Sequence, residues 1–177
     1  MRVAFLNPMF GVDFTKSARW FARSRGRVQR HPDYLCIAAA VVEQAGHEVF
    51  LCDAQARNLP TRDLLPVLRE FRPGLIVHQA STPSIDSDIA AAKLCAEATS
   101  ATSVLVGSHV SAVPDDTLKR AGDAISGVCV GEYDFTVRDL ADGVPVADCR
   151  GMAWLHNGEV VRNPRRPPEP DAPHPAW

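Results

Sequence analysis

Short apolar runs alternate with longer stretches whose apolar residues recur every three or four positions, from one end of this chain to residue 150. Residues 2–6 form an apolar run stopped by Asn7-Pro8, the pattern of a buried strand. A long connection rich in arginine and aromatics fills residues 9–33. Residues 34–45 read as a helix, with Gly46 past its end supplying a left-handed cap. Residues 47–53 read as a strand, followed by a helix capped by Thr61 and running to about Phe71, where Pro73-Gly74 breaks it. Residues 75–80 are the third strand. A helix opened by Ser84 or Asp86 runs to about Ala98, residues 103–106 are the fourth strand, and Asp115 or Asp116 caps a short helix ending at Gly122. Residues 124–130 are the fifth strand, and residues 134–141 a fifth helix ended by Gly143.

Five strand–helix units require crossover connections, so the sheet is parallel, with helices on both faces, and 2-1-3-4-5 is the common strand order for five such units. The pattern changes after residue 150. Residues 152–156, the Asn157-Gly158 turn and residues 159–161 read as a β-hairpin, and residues 163–177 hold six of the fourteen prolines. The chain therefore divides into a domain at 1–150 and a hairpin with a proline-rich linker at 151–177.

The 177 residues suffice for one ordinary core. With 19 basic and 21 acidic side chains the formal charge is −2, which gives no electrostatic case for a nucleic-acid partner. No apolar run approaches the ~20 residues of a membrane span. The start of the chain reads as a strand rather than a leader, so a cytoplasmic location is expected. Five scattered cysteines without a C-x-x-C pair favour buried free thiols over disulfides or a zinc site.

Three turns of small residues follow the third, fourth and fifth strands: Ser81-Thr82-Pro83-Ser84, Gly107-Ser108-His109-Val110 and Gly131-Glu132-Tyr133. On one sheet edge they point to a ligand site for something large and flat. The first loop narrows the ligand. Asn7-Pro8-Met9-Phe10-Gly11 lacks the glycine pattern of a dinucleotide site, there is no P-loop, and the strand ends lack the acidic set of a phosphoacceptor domain. A flavin phosphate loop would be short and rich in Ser, Thr and Gly, unlike this connection.

Asn7-Pro8, Ala38-Ala39-Ala40, Gly46-His47-Glu48-Val49, Ser81-Thr82-Pro83-Ser84, Gly107-Ser108-His109-Val110 and Gly131-Glu132 occur in an order that resembles the N-terminal cobalamin-binding domain of B12-dependent radical SAM enzymes. The hairpin and the ending Asn163-Pro164-Arg165-Arg166 resemble the linker that leads from that domain into the radical SAM barrel. The resemblance implies a flavodoxin-like Rossmann three-layer sandwich with the corrin ring on the carboxyl edge of its five-stranded sheet. It implies that Ser81, Thr82 and Ser84 bond the nucleotide tail, that Gly107, Ser108, His109 and Val110 line its slot, and that Gly131, Glu132 and Tyr133 close the site. Cobalamin, as methylcobalamin, is the implied cofactor. The four-iron cluster and S-adenosylmethionine would belong to a barrel supplied in cis or in trans, and Trp177 directly after Pro175-Ala176 favours a cut at that junction.

No D-x-H-x-x-G hexapeptide is present, so a base-off cofactor without a histidine on cobalt is expected, its lower face met by the 9–33 connection. No residue of this chain is assigned to catalysis or to metal ligation; the parent enzyme would be a methyltransferase. Two departures stand out: Val106 where many relatives have glycine, and Tyr133-Asp134 where many have Gly-Glu. Several roles stay open. Tyr133 either stacks on the tail or fills space. His109 either braces its turn or touches the ligand. His78 is read as a satisfied core histidine, His31 as a solvated loop residue and Glu132 as a helix cap. Trp20 and Phe21 either cover the corrin or pack on the sheet, and the arginines at 19, 23, 25, 27 and 30 form a solvated run or contact the barrel or the corrin amides and phosphate. A ligand-free interaction domain of the same fold and a flavin-binding electron carrier are the alternatives.

Overall fold

The structure is a computed structural model that describes residues 1–17, 21–23 and 29–167; Arg19, Trp20, Arg25, Arg27 and the tail from residue 168 lie outside the described residues. Five parallel strands form its centre: β1 (Arg2–Asn7), β4 (Glu48–Asp53), β5 (Leu75–Gln79), β6 (Thr102–Val106) and β7 (Gly127–Cys129). They lie in the order β4-β1-β5-β6-β7, which is the expected 2-1-3-4-5. Between β1 and β4 come β2 (Phe14–Lys16), β3 (Phe21–Arg23) and the helix α1 (Asp33–Gln44). The other helices are α2 (Thr61–Phe71), α3 (Ile85–Thr99), α4 (Ser108–Ala112), α5 (Pro114–Ala121) and α6 (Asp134–Ala141).

Strands covered on both faces are apolar along most of their length, and residues 3–6 of β1 show this. Val3 and Phe5 join Leu35, Ala38 and Val42 of α1 and Val137 and Leu140 of α6 in one core layer. Ala4 and Leu6 face Leu64, Leu65 and Leu68 of α2 and Cys95 of α3 in the other. A third cluster joins α3 and α5 to the far half of the sheet through Leu105, Leu118 and Val128. The result is the three-layer sandwich.

The hairpin adds to this sheet. Its strands β8 (Met152–His156) and β9 (Glu159–Arg162) pair antiparallel, and β8 pairs antiparallel with β7, so the sheet has seven strands rather than five. Gly127 makes the junction possible: a Cβ there would sit 2.8 Å from the Ala153 carbonyl oxygen. Beyond β8, Gly151 N–H donates to the Pro164 carbonyl at 2.9 Å, and Asn163 Nδ2 donates to the carbonyls of Val146 and Cys149 at 2.7 and 2.8 Å.

Smaller departures have local causes. Thr61 does not cap α2; Pro60 precedes it and Thr61 is the first helical residue, with no side-chain cap bond. Neither Asp115 nor Asp116 caps α5, which starts at Pro114. The fifth strand is cut short by a 3-10 turn at Gly122–Ala124. In the long connection, β2 and β3 form an antiparallel ribbon that carries Phe14 and Phe21, and these rings pack with Phe10 at centroid distances of 5.1 to 5.6 Å. Phe21 thus packs within its own ribbon. Among the described residues no helix is long and apolar enough to cross a membrane.

Candidate functional site at the carboxyl edge of the sheet

The parallel strands all end on one edge, so the turns that follow β5, β6 and β7 are neighbours there. After β5, the Ser81 and Ser84 hydroxyls lie 2.7 Å apart, and Ser84 Oγ and Ser81 N–H donate to Asp88 Oδ2 at 2.6 and 3.1 Å. Asp88 sits in the first turn of α3 and also receives the ammonium of Lys16, which reaches across from β2 and bonds the Pro8 carbonyl at 3.2 Å. Lys16 and Asp88 are both fully buried. Burial pushes the Asp88 carboxyl up and the Lys16 ammonium down, and their mutual attraction opposes both shifts. This ion pair ties the long connection to the serine turn, and sequence reasoning did not find it because its members are 72 positions apart.

The turn after β6 begins at Gly107, with φ +120° and ψ −179°, a conformation open almost only to glycine. A Cβ at this position would meet the Ala80 carbonyl oxygen at 2.6 Å and Gln79 Nε2 at 2.9 Å. The ends of β5 and β6 therefore touch here, and Val106 beside them is fully buried. Ser108 is exposed, whereas the Val110 side chain is buried with Leu105 and Leu118. His109 Nδ1 lies 3.0 Å from Thr82 Oγ1, linking the first two turns through side chains rather than bracing a backbone carbonyl. Its Nε2 is buried and without a partner among the described residues, and burial, with Arg120 nearby, lowers its basicity.

Ser111 joins the second turn to the third. Its hydroxyl donates to the Gly107 carbonyl and accepts from the Gly131 N–H, each at 2.9 Å. Glu132 is exposed and makes no helix cap; α6 is preceded by Tyr133 with no side-chain cap bond. Burial and the Glu132 charge raise the Asp134 carboxyl to about 6. Tyr133 is buried in the core layer of α1 and α6, and its hydroxyl donates to Gln79 Oε1 at 3.4 Å. A cleft of about 290 Å³, lined by Ser111, Val130, Gly131, Glu132, Arg165 and Arg166, opens beside this turn.

The edge thus brings together Ser81, Thr82, Ser84, Gly107, Ser108, His109, Gly131, Glu132 and Tyr133 in one linked set of turns, while Val110 turns inward. His78 differs from expectation. It is wholly buried with neither ring nitrogen partnered among the described residues, and burial together with the Lys16 charge holds its pKa at about 3. His31, Arg23 and Arg30 are exposed. Among the described residues no cluster of side chains fit to hold a metal ion occurs.

This chain is 26% identical over 138 residues to the uncharacterized methyltransferase PH0819 of Pyrococcus horikoshii, a match covering 75% of this chain and 30% of that protein. Its fold superposes on the cobalamin-dependent S-adenosylmethionine radical enzyme OxsB, solved with aqua-cobalamin and S-adenosylmethionine, with a TM-score of 0.78 at 15% identity. That match covers 98% of this chain and 24% of OxsB. The radical S-adenosylmethionine methyltransferase TsrM of Kitasatospora setae, solved with cobalamin and a [4Fe-4S] cluster, superposes with a TM-score of 0.69 at 18% identity over 93% of this chain and 29% of its own. The chain thus spans less than a third of each of these proteins. Residues 28–141, from the end of the long connection through α6, match the B12 binding domain family, and the chain belongs to that family.

Proposed function

We propose that this chain holds cobalamin on the carboxyl edge of its sheet, base-off and without a histidine on cobalt, as the cofactor-carrying part of a radical SAM methyltransferase. The observation that carries this reading is the set of three turns knitted together by Thr82–His109 and Ser111–Gly131 around Gly107, within a chain of the B12 binding family. The residues fit the group. A Cβ at Gly107 would press on Gln79 Nε2, and among the described residues the buried Gln79 Nε2 and His109 Nε2 lack partners. Bound methylcobalamin would supply the methyl group. The chain's own work is to bind and orient: Ser81, Thr82 and Ser84 toward the nucleotide tail, Ser108 and His109 beside it, Gly131 and Glu132 at the rim. The long connection of residues 9–33, tied down through Lys16 and Asp88, would supply the residues on the cofactor's lower side, with no histidine of this chain assigned to the metal. The iron–sulfur cluster and S-adenosylmethionine belong to a radical SAM barrel beyond the 151–177 segment, in cis or as a separate partner.

One observation favours a second reading, an interaction domain that keeps the fold and has lost the slot: Val106 is fully buried and the ends of β5 and β6 touch. Titration with hydroxocobalamin separates the two. The expected outcome is one equivalent bound per chain with a base-off absorption spectrum, and binding weakened at least tenfold in Ser81→Tyr. An unchanged spectrum at excess cobalamin selects the interaction domain, and a base-on spectrum refutes the proposed coordination.

A further inference from the structure

The two edges of the sheet are built differently. At one, β9 is short, carries Glu159 and Arg162 at its ends, and is fastened to α5 by Arg162, whose guanidinium donates twice to Asp115 at 2.7 and 3.1 Å. At the other, β4 pairs with β1 from Glu48 to Asp53 in an unbroken register, and among the described residues no strand pairs with its outer side. Every second residue of β4 therefore turns its N–H and C=O outward with no strand to receive them. Natural edges are blunted by a lysine, a proline or a bulge, and Glu48–Asp53 contains none of these. Its charges stand only at its ends, and the Asp53 carboxylate is already engaged by Asn7 Nδ2 and the Ala56 N–H at 2.9 and 3.0 Å. Apolar side chains flank the edge on both faces. Leu51, on the α1 face with Val49, is 39% exposed. On the α2 face the Phe50 ring meets Phe71 at 5.5 Å, and Val67, one turn before Phe71 on the same side of α2, is 44% exposed.

We infer that β4 is the joining strand of a homodimer and pairs antiparallel with β4 of a second copy. The strand is complementary to itself in one register. A two-fold axis normal to the sheet keeps each helix layer on its own face, so facing residues share a face and the axis passes through a residue. With Phe50 on the axis, Phe50 meets its own copy, Val49 meets Leu51 and Glu48 meets Cys52, so apolar side chains face apolar ones and no like charges meet. With Leu51 on the axis, Val49 would face Asp53, which makes that register the poorer one. The pairing gives the outward N–H and C=O groups partners, covers Leu51, and joins the two sheets into one. Because the strands run antiparallel, the carboxyl edges of the two copies point in opposite directions and both stay open. The inference therefore stands apart from the cobalamin reading.

The test is sedimentation equilibrium of the full 177-residue chain as wild type, Leu51→Lys and Leu94→Lys, together with amide hydrogen exchange of residues 48–53 in the wild type over a range of protein concentrations. Leu51→Lys places on the edge the residue that natural edges use against pairing. Leu94 is likewise exposed but lies on α3, over β5 and β6, and serves as the control for an added lysine elsewhere. The expected result is a wild type in monomer–dimer equilibrium, a dimer dissociation constant raised at least tenfold in Leu51→Lys and held within twofold in Leu94→Lys, and exchange in residues 48–53 that slows as the dimer fraction rises. A wild type that stays monomeric at its highest soluble concentration overturns the inference. A dimer that Leu51→Lys leaves intact, or that only Leu94→Lys weakens, overturns it as well. If circular dichroism shows that Leu51→Lys does not fold, the exchange measurement on the wild type decides: protection in residues 48–53 that does not change with concentration refutes the pairing.

Discussion

His78 shows how a single residue can impose a pH dependence on the whole chain. Its imidazole is wholly buried, both ring nitrogens lack partners among the described residues, and its pKa falls from 6.5 to about 3. Below about pH 6.5 the unfolded chain takes up a proton that the folded chain refuses until about pH 3. The folded state is therefore at full strength above 6.5 and loses stability as the pH drops, by about 1.4 kcal/mol per unit between those limits. Asp134 acts with the opposite sign: its folded pKa of about 6 lies above the ordinary 3.8, so it costs stability as the pH rises through that range. Comparing wild type with His78→Leu cancels Asp134 and every other shared titration. Urea midpoints measured at pH 7 and pH 5 are expected to fall on acidification more in wild type than in His78→Leu. At pH 7 the variant is expected to be no less stable, because it removes two unsatisfied buried nitrogens. Equal falls in the two proteins would contradict the assigned shift. The sequence placed His78 on a strand, but nothing in a run such as Leu75 to Ala80 tells whether a histidine there finds a partner across the layer.

At the scale of elements, the turns were legible because small residues cluster after apolar runs. What they do was not. Sequence placed Gly107 at a bend; the backbone shows that its φ of +120° and the Ala80 carbonyl 2.6 Å from its would-be Cβ exclude any side chain. Gly107→Ala is expected to lose about 3 kcal/mol, since it combines a strained backbone with a clash against main chain that cannot rotate away. Urea denaturation measures this, and a loss below about 1 kcal/mol would mean that the ends of β5 and β6 can separate at little cost. The short elements escaped the sequence reading for physical reasons. β2 and β3 span three residues each, too few to show an alternation, and are held by a long-range lysine–aspartate pair. The five-residue α4 has a serine-rich sequence with no periodicity.

For the whole molecule, the decisive feature is how the sheet ends at β7. That strand has three residues and borrows β8 as its neighbour, and Met152 and Ala153 of β8 are buried in two different core layers. A chain cut after Arg150 would bare the β7 edge and both layers. It is expected to aggregate and to show no cooperative thermal transition by circular dichroism, whereas a chain cut after Pro167 keeps one. A stable, soluble 1–150 fragment would instead make the hairpin a dispensable linker. The comparison with OxsB and TsrM fits a unit of this extent, since both superpose on more than nine-tenths of the chain while extending well beyond it.

The alternation of apolar runs and amphipathic stretches determined the five parallel strands, the helices on both faces and the edge where the turns gather, while their order was the common one for five such units. These follow from burial and from the geometry of crossovers, both of which are local or nearly local in sequence. Only the folded chain decided that the hairpin joins the sheet, that Lys16 finds Asp88, that His109 finds Thr82, and that Gln79 meets Gly107 with its amide nitrogen unpartnered among the described residues. Each of these pairings joins residues far apart along the chain, chosen by packing across layers, and a polar side chain in an apolar run carries no local mark of the partner it meets or lacks.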